Sequence, residues 1–188
     1  MENLKKGLFT HKNLLIILFV VFLFLRLFTN SSHILLGGDH IKYLAMSKHF
    51  PYHYTINNQV DLTHPPLYPY VIYIFTLIFR QDHIAAIFVS LISASVTFFI
   101  IYRMIMMLTD NFYITISTLI FYTLSVEFII SSKTTLKESF VVMLTFLTIY
   151  YYTRTIKFRD NKSLMAASLF GALMAVTSDH VVLLFPVF

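Results

Sequence analysis

The sequence predicts an all-α protein, a polytopic transmembrane helical bundle with interfacial helices in its first exoplasmic loop. Three observations carry that expectation. Hydrophobic residues make up 57% of the 188 positions and charged residues only 12%, against about 25% charged in soluble domains. The apolar residues are gathered into long runs, and a helix needs about 20 of them to cross roughly 30 Å of hydrocarbon. The cations fall between those runs, where the connecting loops of a membrane protein carry them.

The same distribution decides what the net charge of +5 means. On a soluble chain it would suggest nucleic acid; spread between apolar runs it marks loops, so no nucleic-acid partner is expected. Cysteine is absent, which excludes a disulfide framework and any Cys-based metal site or nucleophile. No repeat of 20 to 50 residues and no low-complexity tract is present.

The first run covers 13–28, behind Lys5, Lys6 and Lys12. No small-residue cleavage site follows it and Arg26 lies near its end, so it reads as a retained span and not as a removed signal. Gly37 and Gly38 then let the backbone turn. Asp39 can cap a helix over 40–49, whose Ile41, Leu44, Ala45 and Met46 suit an amphipathic helix at the membrane surface. In "DLTHPPLYPY", 61–70, Pro65 and Pro66 hold His64 extended and start the next helix, with Pro69 still in its first turn. Further runs cover 67–79, 84–108, 112–130, 139–152 and 164–188, the last interrupted at "TSDH". Glu127 lies inside a run, and a carboxylate at membrane depth calls for a cavity or a partner. Glu138 opens a run and suits a helix start. Tyr150, Tyr151 and Tyr152 read as an interfacial aromatic belt. The sequence ends within an apolar run, so 1–188 is expected to be a single transmembrane domain forming the N-terminal part of a longer module.

Cations favour the cytoplasmic side of span ends. The N-terminal lysines and the cluster Arg154, Lys157, Arg159 and Lys162 therefore both belong inside, with 29–66 as the first exoplasmic loop. Four runs lie between that loop and the cluster, and an even number of crossings would leave the cluster outside. One run must fail to cross. The shortest is 67–79, about 20 Å long as a helix. On this reading Asp39, His40, Asp61, His64, Lys133, Lys137, Glu138, Asp179 and His180 all gather on the outer side.

Those residues carry a resemblance. "GDHIKYLAMSKHF" soon after the first span, followed by "HPPLYPYVIYIF", resembles the N-terminal signature of GT-C fold membrane glycosyltransferases, relatives of the dolichyl-phosphate-mannose protein mannosyltransferases and the lipid A aminoarabinose transferases. "TLSVEFIISSKTTLKESF" and "GALMAVTSDHVVLLFPVF" are similar to later stretches of the same enzymes. The resemblance implies that Asp39 is the catalytic base. Where the family often has a second acidic residue this chain has His40, and where the later segment usually has a lysine it has Ser178 and Asp179.

The chemistry of such a site can be stated on its own terms. A lipid phosphate leaves as a stable anion, so one base and a cationic clamp suffice, without the paired carboxylates of glycoside hydrolysis. Asp39 would take the acceptor's proton as the acceptor attacks the anomeric carbon, with inversion. His64, Lys133, Lys137 and His180 would offset charge on the departing phosphate, and His40, Glu138 and Asp179 would complete the substrate-binding set. A divalent metal held by Asp and His would fit but is not required, and no metal ligand set is assigned.

The implied partners are a polyprenyl-phosphate-linked sugar, a lipid, glycan or protein acceptor, and membrane lipids. The implied location is the cell membrane of a prokaryote, or the endoplasmic reticulum membrane of a eukaryote, where "NSS" at 30–32 would be a glycosylation acceptor. Lys133 and Lys137 serve equally well as solvated residues at a helix connection. Two other classes remain open: a transporter, which would use Glu127 and the "TSDH" interruption, and a non-catalytic membrane assembly subunit.

Overall fold

The computed structural model describes residues 2–28, 39–48, 55–56, 59–60, 65–135 and 137–177, with side chains from residue 11 in the first helix and from residue 41 in the second. Among these residues the architecture is eight helices and one short ribbon. Helix α1 is Glu2–Phe28 and α2 is Asp39–Lys48. The ribbon pairs β1 (Thr55–Ile56) antiparallel with β2 (Gln59–Val60). Then come α3 (Leu67–Phe79), α4 (Asp82–Thr109), α5 (Phe112–Leu124), α6 (Val126–Ser131), α7 (Glu138–Phe158) and α8 (Asn161–Ala175).

Helix α4 is the central pillar. Its buried positions are mostly small, Ala85, Ala86, Ser90, Ser93, Ala94 and Thr97, which lets neighbouring helices approach closely. The hydroxyls among them do not go unsatisfied: Ser93 donates to Val89 O at 2.7 Å and Thr97 to Ser93 O at 2.8 Å. Two apolar cores form on this pillar. One gathers Tyr43, Tyr68, Ile72, Phe140, Leu144 and Met174 around Ala85, Ala86 and Val89. The other gathers Phe22, Ile116, Leu119 and Tyr122 around Ala94, Phe98 and Ile101.

Side-chain pairs set how the helices lie against one another. His11 stacks on Phe112 at 3.9 Å and Arg26 reaches Thr123 O, so α1 and α5 run parallel. Ser90 reaches Thr134 O while Lys157 donates to Met107 O, so α4 and α7 also run parallel, 17 residues or about 25 Å between the two levels. Helix α3 lies across the first part of α4, with Tyr68 at Ser90 and Phe79 on Phe88 at 4.7 Å, residues far apart on α3 but adjacent on α4. Tyr151 against Phe170 and Thr145 against Met174 set α8 antiparallel to α7.

Three of the connections share one build. Arg80, Asp110 and Arg159 each end a helix with positive φ, at 57°, 49° and 53°. Each donates its backbone N–H back into the last turn, to Thr76, Met106 and Thr155. Each is followed by one extended residue, Gln81, Asn111 or Asp160, that starts the next helix. Asn111 accepts from the Tyr113 and Ile114 amides, and Asp160 from the Lys162 amide and the Ser163 hydroxyl, which satisfies donors a helix start leaves open.

The structure departs from the sequence reading in four places. The run 112–130 is not one helix: Ser125, at φ −63° and ψ 118°, separates α5 from α6. Glu127 is exposed and enters no cavity. Helix α7 continues past 152 to Phe158, through Arg154 and Lys157. Helix α2 occupies 39–48 instead of 40–49, with Tyr43 and Ser47 buried, Leu44 packed against the same core and Ile41 54% exposed. The tyrosine turns α2 toward α3 and away from its surroundings.

Two helices, His11–Phe28 and Asp82–Thr109, are long and apolar enough to cross a membrane, and Leu67–Phe79 and Phe112–Leu124 are shorter apolar helices.

Candidate functional site

The site begins from Tyr43, one helical turn after Asp39. Its ring is buried edge-on against Tyr68 at 5.4 Å and 88°. Tyr68 lies at the start of α3, placed there by the Pro65–Pro66 step, and its ring also meets Phe140 at the start of α7 at 5.9 Å. Its hydroxyl lies 3.4 Å from Ser90 Oγ, which donates onward to Thr134 O at 2.9 Å. The Ser90 proton is committed to that carbonyl, so Tyr68 is the donor to Ser90. The chain Tyr68, Ser90, Thr134 thereby fastens α3 and α4 to the connection between α6 and α7. At the far end of α2, Lys48 pairs with Asp82 at 3.4 Å. Helix α2, which begins at Asp39, is thus anchored at its middle and at its last residue.

The connection 132–137 supplies the cations. A run reading "SKTTLK" would be expected in water, yet Ser132, Lys133, Thr134 and Thr135 are all buried. Local bonds make this affordable: Lys133 N donates to Ile130 O at 3.0 Å, Thr134 Oγ1 to Ser131 O at 3.0 Å, and Ser139 Oγ to Ser131 Oγ at 3.4 Å. Burial, and then the nearby Arg26 charge, push the Lys133 ammonium below the ordinary lysine range. Lys137 lies before α7, its Nζ 5.9 Å from the centre of the Tyr43 ring, within reach of a cation–π contact. Glu138, the first residue of α7, is exposed.

Arg26 is the member of this region that the sequence did not single out. Its guanidinium is 3% exposed, lies 3.7 Å over the Phe22 ring and 5.4 Å from the Tyr122 ring, and approaches the carbonyls of Phe22, Tyr122 and Thr123 at 3.4 to 3.5 Å. The last two carbonyls belong to the final turn of α5, left without helical partners by the break at Ser125. Neither Arg26 Nε nor Thr123 Oγ1 has a partner among the described residues. In the sequence Arg26 shows only as an arginine two residues short of a span's end.

Of the predicted site residues, Lys137 approaches α2 at Tyr43, Lys133 is buried in the same connection with the Arg26 charge nearby, and Glu138 is exposed at the start of α7. The side chains of Asp39 and His40, and the whole of Asp61, His64, Asp179 and His180, lie outside the described residues. Among the described residues no three His, Asp or Glu side chains could share a metal ion.

Among the described residues the chain is mostly helical, two of its helices are long and apolar enough to span a bilayer, and buried cations lie beside an aromatic cluster, which fits a membrane-embedded protein. Residues 63–188 match the family described as dolichyl-phosphate-mannose-protein mannosyltransferase, and because the match covers more than half the chain, the protein belongs to that family of GT-C-type glycosyltransferases. The matched residues include His64, Lys133, Lys137, Glu138, Asp179 and His180, and stop short of Asp39 and His40. No curated protein and no solved structure matches the chain.

Proposed function

We propose that the protein transfers a sugar from a polyprenyl-phosphate donor to an exoplasmic acceptor with inversion, using Asp39 as general base. The observation that carries the proposal is the approach of Lys137 to Tyr43, one turn along α2 from Asp39. It brings a cation from the α6–α7 connection to the helix that bears the carboxylate, with Lys133 four residues earlier in the same connection. A base for the acceptor and a clamp for the phosphate then lie on one layer.

In the proposed reaction the acceptor's proton passes to the Asp39 carboxylate as the acceptor atom bonds to the anomeric carbon. The bond from that carbon to the phosphate oxygen breaks, and polyprenyl phosphate departs. Lys133 and Lys137, joined in this reading by His64 and His180, stabilise the charge that grows on the leaving group. His40, Glu138 and Asp179 contact sugar or acceptor.

The accompanying topology treats 1–188 as one multi-pass transmembrane unit, with 29–66 as an exoplasmic loop. Spans are α1, α4, the α5–α6 pair, α7 and α8, and α2 and α3 lie in the outer interface. The Lys48–Asp82 ion pair supports this reading, because it holds the first residue of α4, which follows α3 directly, beside the last residue of α2.

Replacing Asp39 with Asn keeps shape and hydrogen bonding but removes basicity. It should cost about 10² to 10⁴ in transfer rate with little change in donor binding. Wild-type transfer by Asp39→Asn would remove the residue from catalysis. A transporter reading draws on the α5–α6 discontinuity beside Arg26; it predicts that Asp39→Asn is silent in transfer and that Arg26 variants abolish uptake.

A further inference from the structure

The opposite end of the α4–α7 pair holds a second charged feature. A cavity of about 680 Å³ opens between the two C-terminal ends, lined among others by Arg103, Arg154, Lys157, Asp110, Met106 and Phe158. That volume lies within the range of small-molecule sites. Cations at helix C-termini complement the helix dipole, and for Lys157, which donates to Met107 O, that role is filled. The other two cations are not used up in this way. Arg103 is exposed on α4, and Arg154 has only a long pairing with Asp160, at 3.9 Å with 44% of its side chain exposed. A guanidinium has five donors, so both retain capacity for an anion between them. Asp110 faces the same cavity and limits the excess to one class of ligand, a small localised anion. Met106, Met107, Tyr150 and Phe158 supply the cavity's apolar lining between the charged residues, and Leu108, Ile149 and Tyr152 on the same two helices are exposed.

We propose that this cavity binds the phosphate of an anionic phospholipid in the leaflet opposite the transfer site, with Arg103 and Arg154 on the phosphate and the Met106–Phe158 wall against the glycerol and upper acyl chain. The proposal rests on the multi-pass reading and not on the transferase chemistry. Basic pockets between span ends are suited to anionic headgroups, and the apolar wall distinguishes a lipid from free phosphate.

The test is native mass spectrometry of the whole chain in detergent, offered equal amounts of phosphatidylglycerol and phosphatidylcholine. The wild type should retain phosphatidylglycerol preferentially. Each cation removed should reduce that preference about fivefold, hence about 25-fold for Arg103→Gln with Arg154→Gln. The lysine pair R103K/R154K should keep most of it, which separates loss of charge from loss of fold, and a charge-matched pair at Lys12 and Arg80 should keep it fully. An equal loss in the Lys12 and Arg80 pair, or no preference in the wild type, would overturn the site. Displacement of the lipid by excess inorganic phosphate would overturn the lipid assignment. Transfer by these variants is a separate readout, so an inactive Asp39→Asn chain with intact lipid preference leaves this inference standing.

Discussion

Arg26 Nη2 lies 3.5 Å from the carbonyl oxygen of Tyr122. The contact joins the end of α1 to the end of α5, and it is made where α5 stops. A helix that breaks inside an apolar layer exposes carbonyls that water cannot reach, and Arg26 covers two of them. Replacing it with Met should therefore destabilise the fold by about 1 to 3 kcal/mol, the cost of leaving buried acceptors unpaired. Thermal unfolding in detergent, with amide exchange over 122–129, checks this. A stable Arg26→Met protein with unchanged exchange would mean that the break satisfies itself.

Lys133 offers a test with a defined sign. Its folded pKa is lowered by burial, from an ordinary 10.5. The unfolded chain therefore binds more protons between the folded value and 10.5, and stability rises with pH across that window. Below it the full cost of the buried charge is present. Lys133→Met keeps the apolar stem and, if Lys133 belongs to the clamp, should slow transfer. It should also flatten the alkaline rise in stability. If transfer is unaffected, Lys133 is no part of the clamp.

Lys137 and Tyr43 should separate by kinetics. Lys137→Ala should raise the donor KM and lower kcat together, because a phosphate clamp acts in the ground state as well as the transition state. Tyr43→Ala removes a buried ring and should cost about 3 to 5 kcal/mol of stability, unseating α2 and the base with it. Tyr43→Phe keeps the ring against Tyr68 and should cost less than Tyr43→Ala. A Lys137→Ala enzyme with unchanged donor KM would confine Lys137 to a surface role.

The topology turns on Arg80. If α3 returns to the outer layer, a cysteine at Arg80 is labelled from outside and one at Lys157 from the cytoplasm, a simple comparison in a chain without cysteine. Labelling at Arg80 from the cytoplasm and at Lys157 from outside would overturn the α3 assignment.

Much of the helical layout was legible because apolar runs and their breakers are local signals. Leu67–Phe79 starts after Pro65 and Pro66 and matches its run, and α4 extends 84–108 by only a few residues. The Ser125 break was not legible, since serine is tolerated in a helix and the carbonyls freed there are satisfied from a helix 96 residues earlier. Arg26 was missed for the same reason: a cation near a span's end looks interfacial until α5 is placed beside it. Lys133 and Lys137 stood out as cations in a polar connection, but their burial and the contact with Tyr43 depend on α2 folding back over α3. That is a long-range packing fact with no signature in the spacing of residues.

The corners at Arg80, Asp110 and Arg159 leave no slack. A two-residue connection locked by an amide returned into the preceding turn cannot lengthen, so α3, α4 and α5 are obliged to travel as one body, and α7 with α8 as another. Displacement between the two bodies must pass through 125–137, the stretch that begins at the Ser125 break and carries both lysines. An enzyme that admits a long lipid donor has to part somewhere. In the proposed reaction that stretch would also hold the clamp, so opening the path and releasing the grip would be a single movement.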